Sequence, residues 1–186
     1  WLNETSPTTI PGRATYQANV YSIDVANTDN NVLYCGTETG FVNKSIDKGV
    51  TWNQLALDYN FGGGVTEVVI DPKDENTVYA SAGGQTHKTI DGGITWSPLS
   101  SANAAFASDK IEIDKDDSSK LFAASNSGLY VSVDAGTSWT RVHFAQVYDV
   151  HRHPADSNII YGLTKSGGNF ELIVSLDGGQ SFSEDP

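Results

Sequence analysis

The chain has 186 residues, 38% of them hydrophobic, enough to bury a core, and a formal net charge of -12 at pH 7. That charge argues against a nucleic-acid partner, because phosphate binding rests on clustered Lys and Arg, and it suits basic peptides, neutral glycans or cations better. The single cysteine, Cys35, excludes an intramolecular disulfide, and no stretch approaches the ~18 apolar residues that a membrane helix needs.

In chain order, the first apolar segment is VYSIDV from Val20, whose alternation predicts a half-buried strand. A polar turn, ANTDNN, leads to a second run, VLYCG from Val32, and then to a strand ending in SIDKGVTW at Ser45 to Trp52. The same order returns as TEVVID from Thr66, PKDEN, VYASA from Val78 and TIDGGITW at Thr89 to Trp96. It returns again as KIEID from Lys110, KDDSS, LFAAS from Leu121 and SVDAGTSW at Ser132 to Trp139. A last copy runs VYDV from Val147, HPADSN, IIYGL from Ile159 and SLDGGQSF at Ser175 to Phe182. Asp47, Asp91, Asp134 and Asp177 are thus 44, 43 and 43 residues apart, and a fixed period of this length marks a propeller or solenoid array. No segment has a helical period. The expectation is an all-β chain of four-stranded antiparallel units, about 17–55, 65–99, 109–142 and 146–183.

Each residue of the repeated phrase has a folding role. The aspartate accepts hydrogen bonds that hold a tight turn shut. Gly49, Gly93, Gly136 and Gly179 allow a positive φ without a Cβ penalty, and the flanking hydroxyls close further bonds. Trp52, Trp96, Trp139 and Phe182 offer flat surfaces to bury against a neighbouring sheet.

The phrase resembles the Asp box, or BNR repeat, of Asp-box β-propellers. That group includes sialidases, xyloglucan-active glycoside hydrolases, sortilin-type (VPS10) receptors and photosystem II assembly factors. The likeness covers residues from about 17 to 183, and DPKDENTVYAS, from Asp71 to Ser81, is most similar to the xyloglucanase and sortilin-type hairpins. It implies that the boxes lie on the outer rim as structural locks, so the four aspartates are not expected to meet at one substrate. It also implies a parent ring of six to ten blades. Trp1 and Leu2 match the last aromatic and outer strand of a preceding box, and the chain begins without methionine. The expectation is a single propeller segment, 1–186, cut from a larger ring, with 1–3 as the tail of a preceding blade.

By the same resemblance, ligands meet the loops that link one blade to the next and the turns between second and third strands. Here these are 3–18, 55–64, 98–108 and 141–146, with turns at 37–40, 82–86, 125–128 and 164–169. LDYNFGGG, from Leu57 to Gly64, is the most site-like, with two aromatics and a carboxylate beside a glycine run. The candidate binding residues are Asp58, Tyr59, Phe61, Tyr16 and Arg13; others in these loops are Glu38, Gln85, Phe106, Arg141 and Phe144. His151 and His153 read as surface histidines, and Asp114, Asp116 and Asp117 as a solvated turn, so no metal and no cofactor are expected. Cys35 reads as a small buried hydrophobe.

A sialidase would need an arginine triad, and the chain offers only Arg13, Arg141 and Arg152, none in an Arg-Ile-Pro context. A photosystem factor would carry a basic patch, against the acidic charge found. What remains is a non-catalytic binding or scaffold propeller, secreted, on the cell surface or periplasmic, recognising a protein, peptide or glycan alongside further blades of its parent. The alternative is part of a xyloglucan-type glycoside hydrolase, which needs two carboxylates, of which only Asp58 can be named.

Overall fold

The computed structural model describes residues 19–99 and 108–184, and both stretches are all-β. Four consecutive strands build each antiparallel sheet in plain meander order. The first blade holds β1 (Val20–Val25), β2 (Leu33–Thr37), β3 (Val42–Ser45) and β4 (Asn53–Gln54). The second holds β5 (Val65–Asp71), β6 (Asp74–Ala82), β7 (Gln85–Thr89) and β8 (Ser97–Pro98). The third holds β9 (Ser108–Ile113), β10 (Leu121–Ser125), β11 (Gly128–Ser132) and β12 (Thr140–His143). The fourth holds β13 (Val147–Arg152), β14 (Ile160–Ser166), β15 (Asn169–Ser175) and β16 (Ser183–Glu184). These are blades of the β-propeller kind. The expectations placed on Trp1, Leu2, Arg13, Tyr16 and Phe106 lie outside the described residues.

One bonding pattern explains why the repeated phrase has its composition. The Ser45 hydroxyl donates to Asp47 Oδ1 (2.8 Å) and accepts the Gly49 N–H (2.8 Å). Asp47 Oδ1 also accepts the Thr51 N–H (2.8 Å), and Oδ2 the Thr51 hydroxyl (2.6 Å). Thr89, Asp91 and Thr95 repeat this set, as do Ser132, Asp134 and Ser138, and Ser175, Asp177 and Ser181. The hydroxyl therefore closes the upstream half of the turn and the carboxylate the downstream half. These donors, led by the hydroxyl four residues on, hold the four carboxyls below the usual range, Asp91 at about 2.

Two successive residues in each box are left-handed: Lys48 (φ 62°) and Gly49, Gly92 and Gly93, Ala135 (φ 56°) and Gly136, Gly178 and Gly179. The first of each pair sends its N–H to a carbonyl in the blade's first hairpin, at Asn31, Asn76, Ser119 and Asn158. That hairpin is itself an Asx turn, with Asp29, Asp74, Asp117 and Asp156 accepting the N–H two residues on. The polar turn and the box thus form one clip at the same end of every blade.

The contacts fall into two units. The first contains the first two blades apart from Gly84–Thr86 and Pro98, which fall with the last two blades in the second. Each unit has its core where one blade faces the next. In the first unit Tyr34, Val42 and Phe61 pack with Val68, Ile70, Ala80 and Trp96. In the second, Phe122 and Leu129 pack with Val150, Ile160 and Ile173, with Phe182 against them. Cys35 is fully buried in β2. A polar stitch joins first strands across each junction. The Ser22 hydroxyl accepts the Val68 N–H (3.0 Å) and Asp24 Oδ2 the Ile70 N–H (2.8 Å). In the second unit Glu112 accepts the Arg152 N–H.

Three readings need correction. β6 begins at Asp74, inside the expected PKDEN turn, because Asp71 pairs with Asp74 and its carboxylate closes the bend on the Lys73 N–H (2.8 Å). β13 runs on past the expected VYDV to Arg152, so His151 and Arg152 belong to the strand, while the turn starts at His153 as expected. The acidic turn after β9 is not simply solvated. Asp114 is buried and lies 3.3 Å from Arg152 Nε, while Asp116 takes Arg152 Nη2 at 2.7 Å.

Candidate functional site

The segment between β4 and β5 is the long junction of the first unit. It leaves the blade through a short bend in which Ala56 is left-handed (φ 46°) and its carbonyl accepts the Tyr59 N–H (2.9 Å). Asn60 then accepts the Gly62 N–H (2.8 Å) through its side chain, turning the chain into the glycine run. Between these two bends the aromatic residues are pulled inward. Phe61 is 3% exposed, with its ring edge-to-face on Tyr59 (4.8 Å), His87 (5.1 Å) and Trp96 (5.2 Å). Its ring is therefore an anchor of the loop, with its surface spent on packing.

Below it lies a buried polar chain. The Tyr59 hydroxyl is 2.7 Å from His87 Nδ1, and His87 Nε2 is 3.3 Å from the Ala82 carbonyl. The carbonyl can only accept, which puts the imidazole proton on Nε2 and makes Nδ1 the acceptor for tyrosine. Burial pushes the His87 pKa down and the Tyr59 pKa up, so both are neutral near pH 7. Sequence reasoning missed His87, although a histidine in an otherwise Ser/Thr-rich strand facing an aromatic loop was a usable signal.

Above this anchor the loop and the β2–β3 turn enclose a cavity of about 340 Å³. Glu38, Phe41, Asp58 and Tyr59 line it, with backbone from Gly40, Gly63 and Gly64. The two backbones touch: a Cβ on Gly40 (φ 82°) would lie 2.8 Å from the Gly63 carbonyl oxygen, and one on Gly64 3.0 Å from that of Glu38. Glu38 is fixed by Asn19, whose N–H and side-chain amide bind its carboxylate at 3.2 and 2.7 Å. Asp58 is exposed, and its carboxylate takes no hydrogen bond or ion pair among the described residues. Of the sequence candidates, the structure brings Asp58 and Tyr59 to the cavity wall with Glu38 and turns the ring of Phe61 into the core beneath.

At the equivalent place in the second unit the loop is shorter and side chains bridge it to the β10–β11 turn, with Phe144 left 74% exposed. Arg141 lays its guanidinium 4.6 Å from the Phe144 ring and donates to the carbonyls of Ser127 and Phe144. Gln146 bonds Asn126 across the same gap (2.5 Å). His151 stands between carboxylates, 3.3 Å from Asp149 and 3.8 Å from Glu112. His153 Nδ1 caps the next turn by accepting the N–H groups of Ala155 and Asp156. Among the described residues no cluster of His, Cys, Asp and Glu has the makings of a metal site, and no helix is long and apolar enough to cross a membrane.

No family model matches the chain, and no curated protein matches it by sequence. Solved structures do match by shape. An ancestral GH74 enzyme superimposes with a TM-score of 0.75 at 18% identity, over 88% of this chain and 23% of its own. The GH74 enzyme of Niastella koreensis gives 0.72 at 20% identity, over 94% and 25%. The GH74 xyloglucanase of Xanthomonas campestris gives 0.71 at 18%, over 91% and 31%. YCF48 bound to D1 peptide gives 0.59 at 16%, over 96% of this chain and 70% of that one. The chain thus spans 23% to 31% of the length of the GH74 enzymes it resembles. At these identities what is shared is the fold, and the chain has the blade architecture of a β-propeller.

Proposed function

We propose that the chain is part of a non-catalytic Asp-box propeller, of the sortilin-like kind, that binds a protein, peptide or glycan through the loop between its first two blades. The observation that carries this reading is the cavity over Tyr59 and Phe61, where a rigid backbone frame presents one uncommitted carboxylate, Asp58, beside aromatic walls. A propeller with a peptide bound, YCF48, is among its structural neighbours. The protein would act outside the cytoplasm, secreted, on a cell surface or in a periplasm.

Further blades of a parent chain would cover the first strand. In β1, Ile23 is 56% exposed, whereas its counterparts Val68, Ile111 and Val150 are at most 2% exposed. Val25 is likewise 45% exposed, against 5% for Ile70.

A second reading, part of a glycoside hydrolase, draws on the GH74 neighbours and on Glu38 joining Asp58 at the same cavity, which supplies the second carboxylate. Sugar release from xyloglucan by the parent protein separates the two. Binding without turnover, weakened by Asp58→Asn, is the expected outcome; hydrolysis abolished by the same change would replace the binding reading with the enzymatic one.

A further inference from the structure

We infer that the ligand group seated in this cavity is the side chain of a basic peptide residue, an arginine or lysine. The inference rests on the binding reading and narrows it. Among the eleven lining residues the charged ones are Glu38 and Asp58, both acidic, and no Lys, Arg or His is present to neutralise them. Glu38 already has the Asn19 donors, which set the position of its carboxylate. Asp58 has no donor among the described residues, and its unused acceptor capacity calls for N–H groups from a ligand.

The walls sharpen the choice. The Tyr59 hydroxyl is committed to His87, which leaves the ring rather than the hydroxyl for a ligand. An aromatic surface next to a carboxylate suits a guanidinium or ammonium, which offers donors to the acid and a cation to the ring. A phosphate, sulfate or sialic acid would meet two carboxylates with no cation between them. The cavity volume, about 340 Å³, sits at the small end of the roughly 300–1,000 Å³ range of ligand pockets, room for one long side chain and its flanking backbone. The net charge of -12 adds long-range attraction for a basic partner.

The test uses the whole chain and three probes: a capped Gly-Arg-Gly peptide, its Gly-Gln-Gly counterpart, and a xyloglucan heptasaccharide. Binding is followed by amide chemical shifts at Leu57–Gly64 and by calorimetry in low and high salt. The expected result is Arg-peptide affinity at least tenfold above that of the Gln peptide, falling with salt and falling about tenfold in Asp58→Asn. Equal affinity for the two peptides, or unchanged affinity in Asp58→Asn, overturns the inference. Saccharide binding at these amides with no preference for the Arg peptide overturns it while leaving the binding reading intact. No shift at Leu57–Gly64 with any probe defeats both.

Discussion

The two blade junctions solve one packing problem with different chemistry. In both, a carboxylate on a first strand takes the N–H of the next first strand, Asp24 on Ile70 and Glu112 on Arg152. Two residues on, the first unit has Ala26 in one apolar cluster with Ile70, and the second has Asp114 beside Arg152. At the far end, the first junction has a long glycine-rich loop and a cavity, whereas the second has a short loop whose Arg141 and Gln146 bridge to the turn at Asn126 and Ser127. The backbone frame repeats, while the loop length and the side chains that bridge the gap differ between the junctions.

The comparison can be broken at Arg152. Arg152→Ile installs the residue of the first junction but strands Asp114, whose side chain is 4% exposed, and removal of one member of a buried pair costs about 3–5 kcal/mol. Urea unfolding should show that loss. Adding Asp114→Ala installs the alanine of the first junction and should recover part of it, because a buried ion pair replaced by apolar residues is close to neutral, although the Asp116 N–H loses its acceptor on Asp114. If the double variant is as unstable as the single one, the two junctions are not interchangeable in this way.

Acid should loosen both junctions. Burial is the largest cause of the lowered pKa of His87, and of His143, where Arg141 adds to it and Glu184 opposes it. The folded pKa lies below the unfolded value near 6.5, so the unfolded chain takes up protons first. The stability from the neutral imidazoles is therefore complete above about pH 6.5 and declines as pH falls through the folded pKa. His87→Gln should flatten part of the slope of Tm between pH 7.5 and 5, with its effect centred on Leu57–Gly64 in hydrogen exchange; an unchanged slope would remove His87 from the account.

The smallest expected effect is in the boxes. Ala135 and Lys48 hold left-handed backbone that the other two blades give to Gly92 and Gly178. Ala135→Gly and Lys48→Gly should each stabilise by up to about 1 kcal/mol, read from thermal melts, with the box bonds unchanged. A loss of stability would mean that side-chain contacts of these residues outweigh backbone strain.

Much of this was legible from the repeat. The strands VYSIDV, read from its alternation, and LFAAS, read as an apolar run, have the expected bounds, and the box hydroxyls and aspartates bond in the same way four times over. Local pattern encodes local bonds. The loop was legible as a place, since the glycine run and Asp58 stand out, but the roles of its residues were not. Phe61 is an anchor because His87 and Trp96 of the next blade meet it, and no spacing rule links residues 61, 87 and 96. Arg152 was hidden for the same reason: its partners Asp114 and Asp116 lie in a turn of the preceding blade, where they read as solvated charge.

The central claim, that ligand recognition belongs to the first junction, is tested most directly by amide chemical-shift mapping of the intact chain during titration with the capped Gly-Arg-Gly peptide. The account predicts saturable shifts at Glu38–Phe41 and Leu57–Gly64, with Arg141–Gln146 silent. Shifts centred on Arg141–Gln146, with the first junction unmoved, would contradict it.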